Sequence, residues 1–179
     1  MNNTNKPWNK EKSSHNIDDN FSRPNLPSNN ADHQSYGGNE LTKILFLSKR
    51  GMSRSPLARE MMRTLLEGTQ LFGRVRTSSR GVTEAYDQCP IDARMSKFST
   101  KLGYFLQGFS RFATIPDLAS ADIIITLDHE SEEFVNLHKS FIRGISRPLG
   151  IFFSPGSDPY IQDPYDRGED EDVDDHYDE

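Results

Sequence analysis

The chain of 179 residues contains a single cysteine, Cys89. One thiol excludes an internal disulfide framework and a zinc site built from several cysteines. The sequence also lacks any run of the ~18 apolar residues that a membrane span needs, and its N-terminus lacks the apolar core of a signal peptide. We therefore expect a cytoplasmic protein that binds no membrane, and no metal or other cofactor.

Apolar residues are scarce, at 34% of the chain with a mean hydropathy of -0.74. This composition indicates polar, disordered segments attached to a compact middle. We predict a disordered segment over 1–40, which is rich in Asn, Ser, Asp and Gly, one domain over 41–165, and a disordered acidic tail over 166–179.

Negative charge is concentrated in the tail. Residues 166–179 contain nine acidic residues and one arginine, a formal charge of -8, which leaves +2 on the rest of a chain whose total is -6. An excess of only +2, without a basic aromatic surface, argues against nucleic acid as a partner.

Apolar patterns alternate between strand and helix along the middle of the chain. Short apolar runs predict strands at 43–47, 75–79, 121–128 and 145–153, the last of them with a break near Pro148 and Gly150 as an alternative to a continuous strand. Helical spacing predicts three helices: one from Pro56 with Ser55 as its cap and Gly68 as its end, one with an apolar stripe from Ile91 to Phe105, and one over 130–138. The first of these places Leu57, Met61 and Leu65 on an apolar face.

This alternation predicts an α/β fold, a four-stranded parallel sheet with helices on both faces, because parallel neighbours require crossover connections. Ligands of such sheets bind beyond the carboxyl ends of the strands. The loop over 48–55 follows the carboxyl end of the first predicted strand and leads into a helix. It is therefore the candidate ligand site.

The loop over 48–55 has the chemistry of an anion site. A loop that turns into a helix N-terminus directs several backbone N–H groups and the positive end of the helix dipole at one point. Arg54 can add a two-pronged hydrogen bond to phosphate oxygens. Lys49 and Arg50 bring the formal charge of the loop to +3.

The order and spacing of the motifs resemble the low-molecular-weight protein tyrosine phosphatases. Ser48, five intervening residues and then Arg54-Ser55-Pro56 match the phosphate loop of that family. Ser79-Arg80-Gly81 is similar to the family's Ser-Ala-Gly, 122–128 looks like its Asp-rich third strand, and Asp163-Pro164-Tyr165 matches its Asp-Pro-Tyr loop.

The resemblance implies a phosphotyrosine protein phosphatase I-like fold and assigns roles to residues. Ser48, Arg54 and Asp163 occupy the catalytic positions, with Asp163 as the acid that protonates the leaving group, and Tyr165 would flank the substrate ring. The phosphate would be bound by the residues of the loop, which are Ser48, Lys49, Arg50, Gly51, Met52, Ser53, Arg54 and Ser55.

The sequence departs from the family at the centre of the site. The family's nucleophile is a cysteine, and Ser48 replaces it; a serine hydroxyl is not ionised near neutral pH without an adjacent base, and no histidine lies near the loop in sequence. Arg50 replaces a glycine, which either distorts the loop or strengthens its hold on anions. The family also ends in an amphipathic helix, whereas 169–177 offers only Val173 and Tyr177 as apolar residues.

Three functions remain open from the sequence. The first is a phosphatase-like domain that is catalytically impaired, a pseudophosphatase, and binds phosphate or a phosphorylated protein or small molecule. The second is an active phosphatase that hydrolyses phosphate monoesters with Ser48 or by a variant mechanism. The third is an interaction protein without enzymatic activity that its acidic tail regulates. The sequence makes no prediction of oligomeric state.

Overall fold

The structure, a computed structural model, describes residues 41–164. The predicted segment 1–40, Tyr165 and the acidic tail 166–179 lie outside the described residues. The described residues form, in chain order, β1 (Thr42–Ser48), α1 (Arg54–Glu67), β2 (Val75–Gly81), α2 (Ala93–Lys101), α3 (Ile115–Ser120), β3 (Ile123–Thr126), α4 (His129–Leu137) and β4 (Ile145–Pro148), with short 3₁₀ turns at Glu84–Tyr86, Lys139–Phe141 and Leu149–Phe152.

The strands form one parallel sheet in the order β2-β1-β3-β4. Phe46 in the middle of β1 lies opposite Ser79 of β2 and Ile125 of β3. This confirms the predicted fold class. Because the strands are parallel, β1, β2 and β3 end at one edge of the sheet, where Ser48 pairs with Gly81.

The sheet separates two apolar layers, because successive side chains of a strand point to opposite faces. Leu45, Leu47 and Ile124 pack with α3 and α4 on one face. Phe46 and Ile125 pack on the other face against the helix α1. Helices therefore lie on both faces, as predicted. Across the described range, no helix has the length and apolar character needed to cross a bilayer.

Helix α1 ends at Gly68 as predicted, but the predicted cap was wrong. The helix begins at Arg54, so Ser55 lies within its first turn, and the cap position falls on Ser53, whose side chain makes no capping hydrogen bond. The hydroxyl of Ser55 instead forms a hydrogen bond with the hydroxyl of Ser48. A tertiary contact has therefore replaced the local one that the sequence favoured.

The predicted apolar faces are only partly buried. In α2, Met95 and Phe98 are buried, but the helix stops at Lys101, and Gly103 adopts a positive φ of 87° that ends it, so Leu102 and Phe105 are exposed. The stripe prediction was therefore wrong beyond residue 101. On α1, Met61 and Leu65 are also exposed rather than in the core.

Two further elements differ from the prediction. The six-residue α3 was not predicted, although Thr114 and Asp117 form a capping box at its start. Strand β4 ends at Pro148, the position near which the alternative prediction placed a break, and the chain continues as a 3₁₀ turn, Leu149–Phe152, rather than as a strand to residue 153. A proline has no N–H to extend a ladder, which explains the early end.

Candidate functional site

Two glycines bring the loop between β1 and α1 against the end of β2. Gly51 has a φ of 69°, and a Cβ there would lie 2.5 Å from the backbone N of Gly81. A Cβ on Gly81 would lie 2.6 Å from the carbonyl oxygen of Arg50. The amides of Val82 and Thr83 also donate to the carbonyl of Lys49. The shape of the loop thus depends on the absence of side chains at both positions.

Arg50 fits the loop without backbone strain. Among the described non-glycine residues only Gln88 has a positive φ, so Arg50 does not occupy the left-handed conformation that favours glycine. Its guanidinium lies 5.5 Å from the centre of the Tyr86 ring, and its Nη1 is 3.3 Å from Oδ1 of Asp163. The side chain of Arg50 therefore links the loop to Tyr86 and Asp163, which are distant in sequence.

Arg54 lies at the centre of the site with 7% of its surface exposed. Its Nη2 donates to Oδ2 of Asp128 at 2.7 Å and to Oδ2 of Asp163 at 2.8 Å, and its Nη1 donates to the carbonyl of Ile161. Its Nε is buried and has no hydrogen-bond partner in the described part of the chain. One strong donor at the loop thus lacks an acceptor.

Asp128 is a site residue that the sequence analysis did not identify. Its Oδ1 caps α4 by accepting from the amide of Ser131 at 2.9 Å, and its Oδ2 accepts from the amide of Lys49 at 2.7 Å as well as from Arg54. A signal was present in the sequence: an Asp-x-x-Ser cap follows a strand whose carboxyl end should lie beside that of β1.

The positive charge of the loop is balanced by carboxylates. Lys49 Nζ lies 2.6 Å from Oε1 of Glu130, and this hydrogen bond lowers the pKa of Glu130 below its usual value. Arg50 and Arg54 are paired with Asp163, and Arg54 also with Asp128. The formal charge of +3 on the loop is therefore compensated in the folded site by carboxylates that are distant in sequence, a compensation that the sequence did not predict.

Ser48 is buried, and its hydroxyl faces other hydroxyl and amide groups. Its Oγ lies 2.8 Å from Oγ of Ser55 and accepts from the amide of Gly51 at 3.3 Å. Ser55 in turn donates to the carbonyl of Arg80 at 3.3 Å. Within residues 41–164, neither a carboxylate nor an imidazole is hydrogen bonded to Ser48. The described part of the site thus shows no hydrogen-bonded base of the kind that a serine nucleophile needs.

Backbone amides at the start of α1 are available to a ligand. The N–H groups of Met52, Ser53, Arg54 and Ser55 have no acceptor among residues 41–164. They lie at the N-terminus of a 14-residue helix, whose dipole favours negative charge there. Unpaired N–H groups at a helix N-terminus are the kind of donor that binds a tetrahedral oxyanion, and Arg54 Nε is a further donor without an acceptor in the described chain.

The two Asp-Pro-Tyr tripeptides occupy different surroundings. Asp163 is buried beside Arg54, whereas the exposed Asp158 accepts from the amide of Tyr160. Tyr160 donates to Glu132, and this hydrogen bond raises the pKa of Tyr160 to about 12. The structure thus brings Asp163, which the resemblance gives as the candidate acid, close to the loop. Tyr165 lies outside the described residues, so its predicted place beside a substrate ring is untested.

Comparison with solved structures identifies similar folds. YfkJ from Bacillus subtilis has a TM-score of 0.66 at 22% identity, covering 72% of this chain and 82% of that one. A protein tyrosine phosphatase from Entamoeba histolytica has a TM-score of 0.64 at 22% identity, covering 71% of this chain and 82% of that one. A cysteine-to-serine mutant of the arginine phosphatase YwlE, a Bacillus subtilis protein, has a TM-score of 0.61 at 18% identity, covering 76% of this chain and 84% of that one.

At identities this low, the structural likeness establishes the fold alone. No curated protein sequence matches the chain significantly. A family model, however, matches residues 43–178, which include the loop, both Asp-Pro-Tyr copies and, except for Thr42, all four strands of the described sheet. The chain therefore belongs to the low molecular weight phosphotyrosine protein phosphatase family.

Proposed function

We propose that the domain binds phosphate, or the phosphate group of a monoester, in the loop over 48–55 and does not hydrolyse it. The observation that carries this proposal is the buried Nε of Arg54, a charged donor without an acceptor in the described chain. Leaving such a group unsatisfied is costly, and an oxyanion beside it removes that cost.

The remaining ligand contacts come from the start of α1. The amides of Met52, Ser53, Arg54 and Ser55 supply further donors to the same oxyanion. Because Asp128 and Asp163 already neutralise Arg54, a phosphate dianion must compete with them. We therefore expect modest affinity that falls as salt is added.

The absence of turnover follows from the surroundings of Ser48. Its hydroxyl contacts Ser55 and the amide of Gly51, and neither can remove a proton from it. A hydroxyl that keeps its proton is a poor nucleophile towards a phosphate ester. Binding of a phosphate without reaction does not require the Ser48 hydroxyl to lose its proton. The loop can therefore bind phosphate even though Ser48 does not attack it.

A second candidate rests on one of the structural neighbours, the YwlE mutant, which carries a phosphorylated active-site serine. By analogy, Ser48 would attack a phosphate ester once, forming phosphoserine and releasing the alcohol, with its own proton passing to solvent. Intact mass spectrometry after incubation with p-nitrophenyl phosphate distinguishes the two: a stable phosphoryl group on Ser48 favours this candidate, and unmodified protein favours binding alone.

Calorimetric titration with inorganic phosphate and phenyl phosphate tests the proposal. We expect saturable binding by the wild type and by Ser48→Ala, and none by Arg54→Ala. Arg63→Ala is the matched control, because Arg63 lies on the same helix with an exposed side chain that pairs with Glu60. In parallel, p-nitrophenyl phosphate should not be hydrolysed. Turnover that disappears in Ser48→Ala, or phosphate binding unaffected by Arg54→Ala, would refute the proposal.

A further inference from the structure

The strand β2 lies at one edge of the sheet, and most of its outer side is unpaired among residues 41–164. Its inner side pairs with β1 along the whole length of β2. On the outer side only Gly81, the last residue of the strand, is paired: its amide donates to the carbonyl of Arg111, and its carbonyl accepts from the amide of Ala113. The outer side of residues 75–79, which we call the β2 edge, is therefore an open sheet edge.

The β2 edge presents backbone donors without acceptors. Alternate residues of a strand direct their N–H and C=O groups to opposite sides. Because Gly81 faces outwards, the residues at even spacing before it do so too, namely Val75, Thr77 and Ser79. The amides of Thr77 and Ser79 have no acceptor among the described residues. An added strand would find free partners there.

The strand at the opposite edge of the sheet, β4, is less suited to further pairing. It has four residues and ends at Pro148, which has no N–H for a ladder. Short edge strands and prolines protect a sheet edge from pairing with another chain. β2 has seven residues and contains no proline. Of the two edges of the described sheet, the β2 edge is thus the one open to an added strand.

Arginines lie beside the β2 edge on both faces of the sheet. Arg59 of α1 donates to Oγ of Ser79 at 3.4 Å, on the face that α1 covers. Arg76 points to the opposite face, because successive side chains of a strand alternate, and it is exposed. Arg74, just before the strand, is exposed too. Within the described range, neither Arg74 nor Arg76 pairs with a carboxylate, so their charge is not compensated there.

The electrostatics of Arg59 also favour a negative ligand. Arg80 is paired with Asp117 at 2.9 Å, but Arg59 has no carboxylate hydrogen bonded to it in the described chain. Burial lowers the pKa of Arg59, and the repulsion of Arg63 and Arg80 lowers it further, although the attraction of Glu60 raises it. A carboxylate beside the guanidinium would offset the cost of burying this charge.

We propose that the β2 edge binds an extended acidic segment of another protein, which adds a strand to the sheet. Hydrogen bonds from the amides of Thr77 and Ser79 to its carbonyls supply affinity, and carboxylates opposite Arg59 and Arg76 supply specificity. A second copy of β2 is a poor occupant, because it would place arginines opposite arginines, and like charges opposite each other destabilise strand pairing.

The two ends of this chain have the wrong composition for such a strand. Residues 166–179 are acidic, but Val173 is their only β-branched residue, and Asp and Glu in long runs are unfavourable in strands. Residues 1–40 contain five acidic and four basic residues, so their charges nearly cancel. A partner segment in which acidic residues are interspersed with Val and Thr meets both requirements. The inference does not rest on phosphate binding, and its test contains no phosphate.

The test uses the full-length protein and a fluorescently labelled peptide of roughly nine residues, with Glu on both faces of the strand and Val and Thr between them. We expect saturable binding in fluorescence anisotropy that weakens as salt is added. A peptide of the same sequence with N-methylated central amides keeps its charge but has no N–H to donate, and it should not bind. Hydrogen exchange measured by NMR should be fast at Thr77 and Ser79 in the free protein and slower when the peptide is bound.

Substitutions at the two edge strands separate the β2 edge from general charge attraction. Arg76→Glu should weaken peptide binding about tenfold, because it replaces an attraction by a repulsion. Arg147→Glu is the matched control and should leave binding unchanged, since Arg147 is an exposed arginine on β4. Circular dichroism verifies that both variants fold. If Arg76→Glu does not fold, Arg74→Glu takes its place.

Three results would overturn the inference. The first is peptide binding that Arg76→Glu and Arg147→Glu affect equally, because the attraction would then be general. The second is equal binding of the N-methylated peptide, because no strand would then be added. The third is slow exchange at Thr77 and Ser79 in the free protein. A segment of the same chain would then cover the β2 edge, or a second copy if the exchange slows further as the protein concentration is raised.

Discussion

The guanidinium of Arg54 donates a hydrogen bond of 2.8 Å to the carboxylate of Asp163, a residue 109 positions later in the chain. Both side chains are buried, so solvent screens the pair only weakly. The family-matched positions for binding the phosphate and for protonating the leaving group are thus in direct contact. An anion that approaches Arg54 therefore meets a carboxylate that already occupies one of its donors.

Asp163→Asn should tighten the binding of inorganic phosphate about tenfold. The substitution removes a negative charge next to the proposed ligand and weakens the hold on Arg54, whereas Asp128 still pairs with Arg54 and keeps it in place. Calorimetric titration measures the change. Asp158→Asn is the control, because Asp158 lies in the other Asp-Pro-Tyr copy and is exposed. Equal or weaker affinity in Asp163→Asn would mean that this carboxylate orients Arg54 rather than competing with the ligand.

The fold was predictable because its signals are local. The apolar run of β1, the glycine at position 68 that ends α1, and the alternation of strands with helices each follow from residues that are neighbours in sequence. The extent of α2 was not predictable in this way, because an apolar stripe does not specify where a helix ends. Gly103, which terminates α2, lies within the predicted stripe and was overlooked.

The sequence identified some residues of the candidate site but not the ion pairs between them. The sequence singled out Ser48, Arg54 and Asp163, and the structure brings Arg54 and Asp163 into contact. The pairing of Lys49 with Glu130, and of Arg54 with Asp128, joins residues that are distant in sequence. Such pairs depend on the order of strands in the sheet, which the alternation of elements does not specify. The sequence therefore did not predict that carboxylates neutralise the basic residues of the loop.

Gly81→Ala should disrupt the loop, because the new Cβ would lie 2.6 Å from the carbonyl oxygen of Arg50. We expect a loss of about 1–3 kcal/mol in the free energy of unfolding, together with at least a tenfold loss of phosphate affinity. Urea unfolding and calorimetry measure the two effects. Gly68→Ala is the control: a Cβ there has no neighbour within 4 Å, so both quantities should stay close to wild type. Normal phosphate binding by Gly81→Ala would contradict the close approach of the two chain segments.

The Lys49–Glu130 pair predicts a small dependence of stability on pH. The hydrogen bond from Lys49 lowers the pKa of Glu130 from 4.5 in the folded state, so its stabilisation is present above that pH and is lost as the pH falls through the folded-state value. Both side chains are partly exposed, so the contribution is about 0.5 kcal/mol or less.

Comparison of the wild type with Glu130→Gln isolates this effect. Urea unfolding should show a lower free energy of unfolding for the variant at about pH 7, and the difference should shrink at pH values below the folded-state pKa of Glu130, where the carboxyl group is protonated in both states. A difference that stayed constant between these pH values would assign the effect to packing rather than to charge.

Ser48→Cys should give the domain measurable activity towards p-nitrophenyl phosphate, whereas the wild type and Ser48→Ala should have none. A thiol at this position would accept from the amide of Gly51, in the loop that leads into the N-terminus of α1 and the positive end of its dipole, and these surroundings lower a thiol pKa. The ultraviolet absorbance of the thiolate reports that ionisation separately from turnover. A Ser48→Cys variant that forms the thiolate but hydrolyses nothing would contradict the view that the serine alone blocks chemistry. The inactivity would then be due to Asp128 and Asp163, which pair with Arg54. If Asp163 is also the acid that turnover requires, the double variant Ser48→Cys/Asp163→Asn should remain inactive.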